Sequence, residues 1–407
     1  MAKQTLDALD MAGRRVLMRV DFNVPLDDDL NVTDDRRIRM ALPTIKCARD
    51  AGAKVILMSH LGRPEGKVDP RLSLKPAAAR LGELLETEVT MAPDCTGDEV
   101  RKRVDSMADG DVLVLENLRF HPGETEGDPD FAKALASLAD LYVNDAFGTA
   151  HRKHASTYGV PAGMPEGTRA IGFLVQKELK FLGDALASPE RPFVAVLGGA
   201  KVSDKIGVIE NLLGKVDRLL IGGAMAYVFM AAQGQGVGRS KVERQVKKKG
   251  KTTDMLAVAK DLLAKIEAGD AEVLFPVDHL VAREPTAAAE TDVQSPDIED
   301  GWMGLDIGPE TVEVYREKLA DARTVVWNGP MGMFEVTPFA GGTRAVCDVL
   351  AQVDEVGTAI VGGGDTAAAV EKFGLAEQMT HISTGGGASL KFLEGKPFET
   401  IDLIDEA

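Results

Sequence analysis

Four arginines in the first half of the chain come after short apolar runs that the sequence predicts to be β-strands. In an open parallel sheet the carboxyl ends of the strands meet at one edge, where ligands bind. Guanidinium groups bind phosphate and carboxylate through paired hydrogen bonds. The pattern therefore predicts a site for a small polyanion, formed by Arg36, Arg63, Arg119, Arg152, His60, Asp21 and Asn23.

Each of these residues also has a plainer interpretation. A single arginine is usually a surface ion pair, and only the recurrence after successive strands argues against that reading. Asp21 and Asn23 could instead form a turn before Pro25. His60 could be a hydrogen-bonded structural histidine, and His151 receives no chemical role.

The second half of the chain has glycine loops after its predicted strands instead of arginines. A glycine loop that runs into a helix exposes free backbone N–H groups at the positive end of the helix dipole, which favours phosphate. If Lys201 and Lys205 are both helical, they share a face near a helix start, and a bound anion would relieve their repulsion by the dipole. The alternative is two solvated lysines. The loops contain Gly198, Gly199, Gly223, Asn328, Glu335, Gly362, Gly363, Gly364, Asp365 and Thr366.

Several familiar motifs are missing from the sequence. It has no Walker-type phosphate loop, no Gly-x-Gly-x-x-Gly fingerprint, no cysteine and histidine spacing typical of zinc, and no Gly-x-Ser-x-Gly elbow. The glycines at 385–387 could form another phosphate loop or only a tight turn, and the lysine-rich segment 247–251 is expected to be a solvated surface.

Length and charge restrict the class of protein. The chain has 407 residues and a net charge of −17, from 47 basic and 64 acidic side chains. A single core rarely exceeds roughly 250 to 300 residues, so we expect about two domains. The charge disfavours a general affinity for nucleic acid or an anionic membrane. With no apparent signal peptide, no apolar run that could span a bilayer and no paired cysteine motif, a cytoplasmic protein with reduced thiols is expected.

Short apolar runs alternate with stretches of helical periodicity, which is typical of a parallel sheet flanked by helices. The pattern predicts an α/β protein with two doubly wound, Rossmann-like parallel-sheet domains, joined by a helix at 174–187 and separated by a cleft. The predicted strands are 16–20, 54–58, 112–115 and 141–143 in the first half, and 194–197, 218–221, 272–275, 324–327 and 358–361 in the second.

Eight separate blocks of the sequence resemble the phosphoglycerate kinase family, in the family's order. The resemblance extends from about residue 15 to residue 395, and agreement across so many blocks is highly specific. The blocks are 19–25, 60–64, 116–120, 144–152, 198–206, 327–335, 362–366 and 384–388.

The resemblance implies a glycolytic kinase that transfers a phosphoryl group reversibly between 1,3-bisphosphoglycerate and ADP, with Mg²⁺. It implies that the arginine set, with His60, Asp21 and Asn23, binds 3-phosphoglycerate. Lys201, Lys205 and the glycine loops would bind ADP or ATP, Gly304 and Leu305 would lie near the adenine, Glu335 near the ribose and Asp365 near the metal. The groups expected to stabilise the transferred phosphoryl group are Arg36, Lys201, Gly363 and Gly364.

The resemblance also divides the chain by role. Residues 1–172, completed by 391–407, would bind the phosphoglycerate, 173–188 would be a hinge, and 189–390 would bind the nucleotide. A monomer is expected. The segment after Glu394-Gly395-Lys396 departs from the family pattern, which leaves the docking of the last dozen residues open.

Two other classes of protein compete with this interpretation. A nicotinamide-dependent dehydrogenase would explain two α/β domains but requires the missing dinucleotide fingerprint. A non-catalytic, two-domain protein that binds a phosphorylated metabolite would explain the arginines but gives Lys201 and the loop at 362–366 no purpose.

Overall fold

The structure, a computed structural model, describes residues 3–248 and 250–407. The chain divides into two compact units, unit 1 with Met1–Lys180 and Pro397–Ala407, and unit 2 with Phe181–Lys396. Across the described ranges, no helix is both long and apolar enough to cross a membrane.

Unit 1 is built on a six-stranded parallel sheet in the order β3-β4-β2-β1-β5-β6. The central strand β1 pairs with β2 on one side and with β5 on the other. Its inner positions are buried, as expected for a parallel strand covered on both faces. The strands are β1 (Arg15–Arg19), β2 (Lys54–Met58), β3 (Val89–Met91), β4 (Val112–Val114), β5 (Leu141–Asn144) and β6 (Arg169–Ile171).

Helices connect these strands and bury their apolar residues against the sheet. In α1, for example, Ile38, Ala41, Ile45 and Ala48 are buried, which is the spacing of one helix face. The helices of unit 1 are α1 (Arg36–Asp50), α2 (Lys75–Leu85), α3 (Asp98–Asp105), α4 (Pro122–Glu126), α5 (Pro129–Ala136) and α6 (Val160–Ala162).

The next helix, α7 (Phe173–Ala187), begins in unit 1 and ends in unit 2. Its start is fixed by the buried Asp145, whose Oδ1 accepts hydrogen bonds from the backbone N–H groups of Leu174 at 2.9 Å and Val175 at 3.2 Å. A carboxylate at a helix N-terminus satisfies free N–H groups and complements the dipole. Burial nevertheless raises the pKa of Asp145 to about 6.

Unit 2 has a second six-stranded parallel sheet, in the order β11-β8-β7-β15-β16-β17. Two antiparallel sheets accompany it, a hairpin of β9 and β10 and a three-stranded sheet in the order β13-β12-β14. The strands are β7 (Phe193–Leu197), β8 (Arg218–Ile221), β9 (Gln245–Lys248), β10 (Lys251–Asp254), β11 (Glu272–Leu274), β12 (His279–Ala282), β13 (Thr291–Gln294), β14 (Met303–Ile307), β15 (Thr324–Asn328), β16 (Thr358–Gly362) and β17 (His381–Ile382).

The helices of unit 2 cover its parallel sheet, and α12 is buried along most of its length. The helices are α8 (Ile206–Leu213), α9 (Ala226–Ala232), α10 (Met255–Glu267), α11 (Pro309–Leu319), α12 (Gly341–Asp354), α13 (Gly364–Lys372) and α14 (Gly387–Leu393). Two glycines let β7 and β15 end close together, because a Cβ on Gly198 would meet Pro330 O at 2.3 Å and one on Gly329 would meet Gly198 O at 2.2 Å.

The segment 397–407, with α15 (Glu399–Asp402), packs in unit 1 beside the start of the chain. Gln4 N donates to Asp405 O at 2.8 Å, and Lys3 pairs with Glu406 at 2.7 Å. Asp405 also accepts hydrogen bonds from Arg169 on β6. Residues 391–396 lie in unit 2.

The predicted fold class is confirmed, since both units are parallel-sheet α/β structures. The predicted strands are found within about a residue or two of their expected bounds, but β3, β6, β17 and the antiparallel sheets were not predicted.

Cys95 and Cys347 are buried, whereas Cys47 is only partly buried. In the segment 247–251, which was expected to be a solvated loop or helix surface, Lys247 and Lys248 pair with Thr252 and Lys251 as antiparallel strands, and Lys249 lies outside the described residues.

Candidate functional site

Each parallel sheet has a point where its chain connections turn in opposite directions, and this point forms a natural ligand crevice at the carboxyl ends of the strands. In unit 1 it lies between β1 and β5, and in unit 2 between β7 and β15. The predicted site residues come directly after these strands and their neighbours, so each unit has its own candidate region.

In unit 1, Asp21 and Asn23 are held by their neighbours just after β1. Asp21 Oδ2 accepts a hydrogen bond from Arg37 Nη1 at 2.9 Å, and Asn23 Oδ1 accepts one from Gly62 N at 2.9 Å. Burial raises the pKa of the Asp21 carboxyl, but the surrounding positive charges, Arg37 and Arg19 among them, lower it by more. Asp21 is therefore ionised at neutral pH.

Three of the predicted arginines repel one another at this edge. Arg119 is buried and its Nη1 donates to Gly62 O at 2.7 Å. Burial, followed by the charges of Arg152 and Arg19, lowers the pKa of Arg119 to about 10. Burial and the charge of Arg63 likewise lower the pKa of Arg152. Such a cluster gains stability when an anion binds.

Arg36 lies at the first position of α1, beside a different set of charges. Burial lowers its pKa, Asp34 raises it and Arg37 lowers it. Arg37 in turn is the ion-pair partner of Asp21. Arg36 is therefore connected to the rest of the site through its neighbour in sequence.

His60 is buried and neutral. Burial and nearby positive charges lower its pKa well below the usual value. Its Nδ1 lies 3.1 Å from Arg19 Nη2, and because an arginine only donates, Nδ1 must accept and the ring proton must lie on Nε2. His60 is thus a buried, hydrogen-bonded histidine, which is the structural alternative that the sequence left open.

A buried polar network beneath this edge was missed by the sequence analysis. Arg19 is fully buried, and its Nε donates to Ser156 Oγ at 2.9 Å. Ser156 Oγ donates to Glu124 Oε1 at 2.7 Å, and His154 Nδ1 lies 3.6 Å from the same oxygen. Burial raises the pKa of Glu124, but His154 and Arg19 lower it by more. Glu124 is therefore a buried carboxylate that balances the charge of Arg19.

Unit 2 contains a cavity of about 560 Å³ beside the ends of β7 and β15. Its wall includes six of the predicted residues, which are Gly199, Gly223, Gly304, Leu305, Glu335 and Asp365. A cavity of this volume is in the range that holds a nucleotide-sized ligand.

Further predicted residues form a polar cluster near the cavity. Lys205 is buried, donates from Nζ to Asn328 Oδ1, and has its pKa lowered by burial to about 8. The charge of Asp365 opposes this shift. Thr366 Oγ1 accepts a hydrogen bond from Gly329 N at 2.7 Å, and a Cβ on Gly362 would lie 3.0 Å from Asn328 Nδ2.

Lys201 and Lys205 are not both helical, so the condition under which they would share one helical face is not met. Lys201 is exposed and extended, and it precedes a short 3-10 helix, Val202–Asp204. Lys205 comes between that turn and α8. The irregular turn separates the two ammonium groups, so one is buried and the other faces solvent.

The glycine loop at 362–366 does run into a helix, as predicted. Gly363 has φ of +93°, a conformation that side chains strain to adopt, and α13 begins at Gly364. Asp365 lies in its first turn. The loop at 385–387 also precedes a helix, the short α14.

Sequence reasoning missed several residues of the cavity wall. Tyr227 on α9 and Arg239 and Lys241 in the following loop lie on the wall together with Gly304. Burial raises the pKa of the Tyr227 hydroxyl, so it stays protonated. Three methionines, Met303, Met331 and Met333, complete the apolar part. Tyr227, Arg239, Lys241 and Met303 lie outside all eight blocks of the resemblance, so no sequence signal identified them. Met331 and Met333 lie within the block 327–335 but were given no role.

The buried Asp306 fixes part of the same wall. Its Oδ2 accepts a hydrogen bond from Gly342 N at 2.7 Å and its Oδ1 one from Ile307 N at 2.9 Å. Burial raises the pKa of Asp306 to about 7. Thr343 Oγ1 accepts from Met331 N at 3.1 Å, which holds the neighbouring loop in place.

One parallel α/β unit has an arginine-rich edge, and the other has a glycine-lined cavity beside a buried lysine. This combination defines a nucleotide-dependent phosphotransferase. Comparison with known proteins narrows this class. The family model of phosphoglycerate kinase matches residues 6–396.

Curated relatives and solved structures agree with the family match. Phosphoglycerate kinase of Anaeromyxobacter sp. (strain Fw109-5) is 56% identical over the full length of both chains, and that of Chlorobaculum tepidum is 54% identical, also over both full lengths. The structure of phosphoglycerate kinase from Coxiella burnetii has a TM-score of 0.85 and 39% identity, with 98% of each chain covered. That from Pyrococcus horikoshii OT3 has a TM-score of 0.84 and 35% identity, also with 98% of each chain covered.

The chain belongs to the phosphoglycerate kinase family. It is therefore a glycolytic kinase with a nucleotide substrate, and the dehydrogenase and the non-catalytic binding protein are set aside.

Proposed function

We propose that this chain transfers a phosphoryl group reversibly between 1,3-bisphosphoglycerate and ADP, with the phosphoglycerate on unit 1 and the nucleotide on unit 2. One observation carries the assignment of the units. The mutually repelling arginines lie at the strand ends of unit 1, whereas the nucleotide-sized cavity with its glycine wall lies in unit 2.

On unit 1, we assign 3-phosphoglycerate to the arginine-rich edge. Arg63, Arg119 and Arg152 would bind its phosphate. Burial and neighbouring cations lower the pKa values of Arg119 and Arg152, and Arg63 is exposed, so an anion would stabilise all three charges. Arg36 would lie toward the carboxylate. Asp21 and Asn23 would bind the hydroxyl group or position the arginines, and His60 would support them through Arg19.

On unit 2, we assign the nucleotide to the cavity. Gly304 and Leu305 would lie near the adenine, Glu335 near the ribose, and Gly198, Gly199 and Gly223 beneath the nucleotide. Lys201, Lys205 and Asn328 would reach the phosphates, with the free N–H groups of Gly362, Gly363, Gly364 and Thr366 at the start of α13.

Magnesium fits this end of the cavity. Mg²⁺ prefers oxygen ligands and is usually held by one or two carboxylates together with nucleotide phosphates. Asp365 is an exposed carboxylate on the cavity wall beside the start of α13, so it would supply that ligand. When bound, the ion neutralises charge on the phosphate oxygens.

The chemical step needs no general base from the protein. In the direction of ATP use, a carboxylate oxygen of 3-phosphoglycerate, already ionised, attacks the γ-phosphorus. The bond from that phosphorus to the bridging oxygen breaks, and ADP leaves with the electron pair. Arg36, Lys201 and the N–H groups of Gly363 and Gly364 would stabilise the charge on the transferred group.

We further propose that the reaction requires closure of two domains, 1–172 with 397–407 and 189–396, about a hinge at 173–188. Support comes from α7, which belongs in part to each unit and is fixed at its start by Asp145. Closure would exclude water from the transferred group. We expect a cytoplasmic monomer, which size-exclusion chromatography with light scattering would test.

Trapping of the acyl phosphate tests the proposed reaction. The protein is mixed with MgATP, 3-phosphoglycerate and hydroxylamine, and the hydroxamate is measured. We expect hydroxamate only when all components are present, and a loss of it in the double variant Arg36→Ala/Lys201→Ala.

A control variant loses the same number of positive charges as the Arg36/Lys201 variant, but at other positions. The double variant Arg39→Ala/Lys260→Ala removes one arginine of α1 and one exposed lysine of α10, and should retain activity. A folded wild-type protein that binds both ligands but forms no hydroxamate would refute the reaction. Full activity in the Arg36/Lys201 variant would refute the residue roles alone.

A further inference from the structure

Three metal-ligating side chains converge in unit 1, and the proposed reaction uses none of them. A carboxylate oxygen of Asp94, the Sγ of Cys95 and a ring nitrogen of His121 all lie within 4.8 Å of one another. They come from two separate parts of the chain, the loop between β3 and α3 and the residue just before α4.

The neighbours of these side chains hold them in place. Cys95 is fully buried and its Sγ donates to Glu116 O at 2.9 Å. Asp94 Oδ1 accepts from Cys95 N at 2.7 Å and lies 2.6 Å from His121 Nε2. The His121 ring stacks on Phe131, with 4.8 Å between the ring centroids. The cluster is therefore a fixed group of side chains and not three mobile surface residues.

We propose that Asp94, Cys95 and His121 form a binding site for a borderline-soft divalent ion, with Zn²⁺ the best match. Sulfur, imidazole nitrogen and carboxylate oxygen are the donors that zinc takes in proteins. Ions that prefer oxygen alone, such as Mg²⁺, are disfavoured by the sulfur ligand.

The geometry needs only a small adjustment. With bonds of about 2.0 to 2.3 Å, tetrahedral ligands lie roughly 3.3 to 3.8 Å apart. Asp94 and His121 would therefore separate by about 1 Å, while any wider pair in the cluster would draw closer. Glu116 does not complete the site, since its carboxylate already accepts from Leu74 N, Asn117 N and Ser73 Oγ. Water takes the fourth position, so the ion should exchange.

Binding changes the protonation of two ligands. The Cys95 thiol releases its proton to solvent and gives up its hydrogen bond to Glu116 O. His121 Nε2, which must donate to the Asp94 carboxylate in the metal-free protein, binds the ion as a neutral ring with its proton on Nδ1.

A bound ion would also restrain the segment that carries Arg119. His121 directly follows the 3-10 helix Leu118–Phe120, and Cys95 contacts Glu116 just before it. The ion would then fix His121, at the carboxyl end of 116–121, to the loop that carries Asp94 and Cys95. Amide hydrogen exchange at Arg119, Phe120 and His121 should slow when the metal binds. Any effect on the binding of 3-phosphoglycerate would in addition depend on the proposed role of Arg119.

Cadmium is the probe of choice because a thiolate bound to it gives an ultraviolet charge-transfer band. The full-length protein is freed of metal with a chelator and titrated with Cd²⁺ without nucleotide, and Zn²⁺ affinity is measured by competition with a chromogenic chelator. We expect one equivalent of Cd²⁺ to produce the band and Zn²⁺ to abolish it. The substitution Cys95→Ser should remove the band, and His121→Gln should weaken Zn²⁺ binding at least about tenfold.

Unit 1 has a second cysteine, which provides the control. The variant Cys47→Ser, which removes the other cysteine of unit 1, should bind like the wild type. If Cys95→Ser does not fold, His121→Gln still decides, because that side chain is 30% exposed. No band in the wild type, a band that survives Cys95→Ser, or Zn²⁺ affinity unchanged in folded His121→Gln would overturn the proposal.

Discussion

Three arginines of the candidate site in unit 1 share a physical feature, which is that burial and neighbouring cations make their charges unfavourable. Arg119, Arg152 and Arg36 all have pKa values lowered by burial, and Arg119 is further lowered by its fellow cations. In the absence of ligand this arrangement lowers stability. An anionic ligand removes the repulsion, which converts the unfavourable energy of the free protein into binding energy.

Removal of a single cation should affect the transition state more than the fold. We expect Arg36→Ala and Lys201→Ala each to lower kcat by about 10² to 10³, the usual scale for one lost stabilising donor. Steady-state kinetics and circular dichroism measure activity and folding. The variants Arg39→Ala and Lys260→Ala serve as controls. Near-normal kcat in a folded Arg36→Ala or Lys201→Ala protein would remove that residue from the mechanism.

Lys205 should make nucleotide binding depend on pH. Its pKa in the free protein is lowered by burial to about 8, so its ammonium group is largely lost above that pH. A phosphate favours the charged form. The Kd for MgADP should therefore rise by up to about tenfold per pH unit above pH 8, until the pKa of the bound form is reached.

Calorimetric titration between pH 7 and about 9.5 would measure this dependence. In Lys205→Arg the cation stays charged throughout, so the increase in Kd over that range should disappear. A wild-type Kd that stays flat through pH 9 would show that Lys205 does not contact the phosphates.

At the scale of elements, the buried network of unit 1 joins β1 to the segments after β4 and β5. Arg19 is on β1, Glu124 is on α4 and Ser156 is in the π-helix Ala155–Gly159. Ser156 connects the two charges, since it accepts from Arg19 and donates to Glu124. The network reaches the arginine-rich edge through Arg19, which bonds to His60 and lowers the pKa of Arg119.

The substitution Ser156→Ala should destabilise unit 1 by about 1 to 3 kcal/mol, because it leaves buried donors and acceptors unsatisfied. Urea unfolding followed by circular dichroism would measure the loss. Ser137→Ala, at an exposed serine whose Oγ donates to Ala134 O in the adjacent turn, should change the free energy of unfolding by less than about 0.5 kcal/mol. Equal effects of the two substitutions would contradict a structural role for the network.

The sequence was informative where burial is continuous. Strands such as β2 and β8 are covered on both faces and read as unbroken apolar runs, so they were predicted to the residue. The three-residue β3 is only partly buried, and in β13 three of four residues are exposed, so neither carries such a run. Short edge strands depend on neighbours distant in sequence, which periodicity does not reveal.

The same limit applies to the candidate site. Arginines after strands and glycines before a helix are local patterns, and they identified much of both regions. Arg19 is the last residue of a strand and Glu124 lies in a short helix, positions where a charged residue usually faces solvent. Their burial becomes visible only when Ser156 is placed between them. The turn that separates Lys201 from Lys205 likewise depends on tertiary contacts, such as the bond from Ser203 N to Glu243.

At the scale of the whole molecule, both units have their candidate ligand-binding region at the same feature, the switch point of a parallel sheet. They differ in the residues at the ends of their strands, which are cations in unit 1 and glycines in unit 2. The segment 397–407 breaks the sequential division between them, since it returns to unit 1 after unit 2 has been completed.

Deletion of 397–407 should destabilise unit 1 and leave unit 2 folded. Phe398, Ile401 and Ile404 are buried, and each contributes about 1.5 to 3 kcal/mol through burial. Limited proteolysis with mass spectrometry would show cleavage first within unit 1. As a milder test, Lys3→Ala removes the ion pair with Glu406 and the hydrogen bonds to Asp402 O and Ile404 O, and should destabilise unit 1 by less than the deletion does. Preferential cleavage of unit 2 in the truncated protein would contradict this expectation.

The return of this segment also has a consequence for how the protein is made. Domains usually fold in order as a chain leaves the ribosome, the first before the second. Here the first half of the chain emerges without Phe398, Ile401 and Ile404, and with no partner for Arg169 in Asp405. Unit 2 can complete its fold before the last segment of unit 1 has been synthesised. The unit translated first is thus the last to be completed, and nascent chains would expose its unfinished edge to chaperones throughout synthesis of the second.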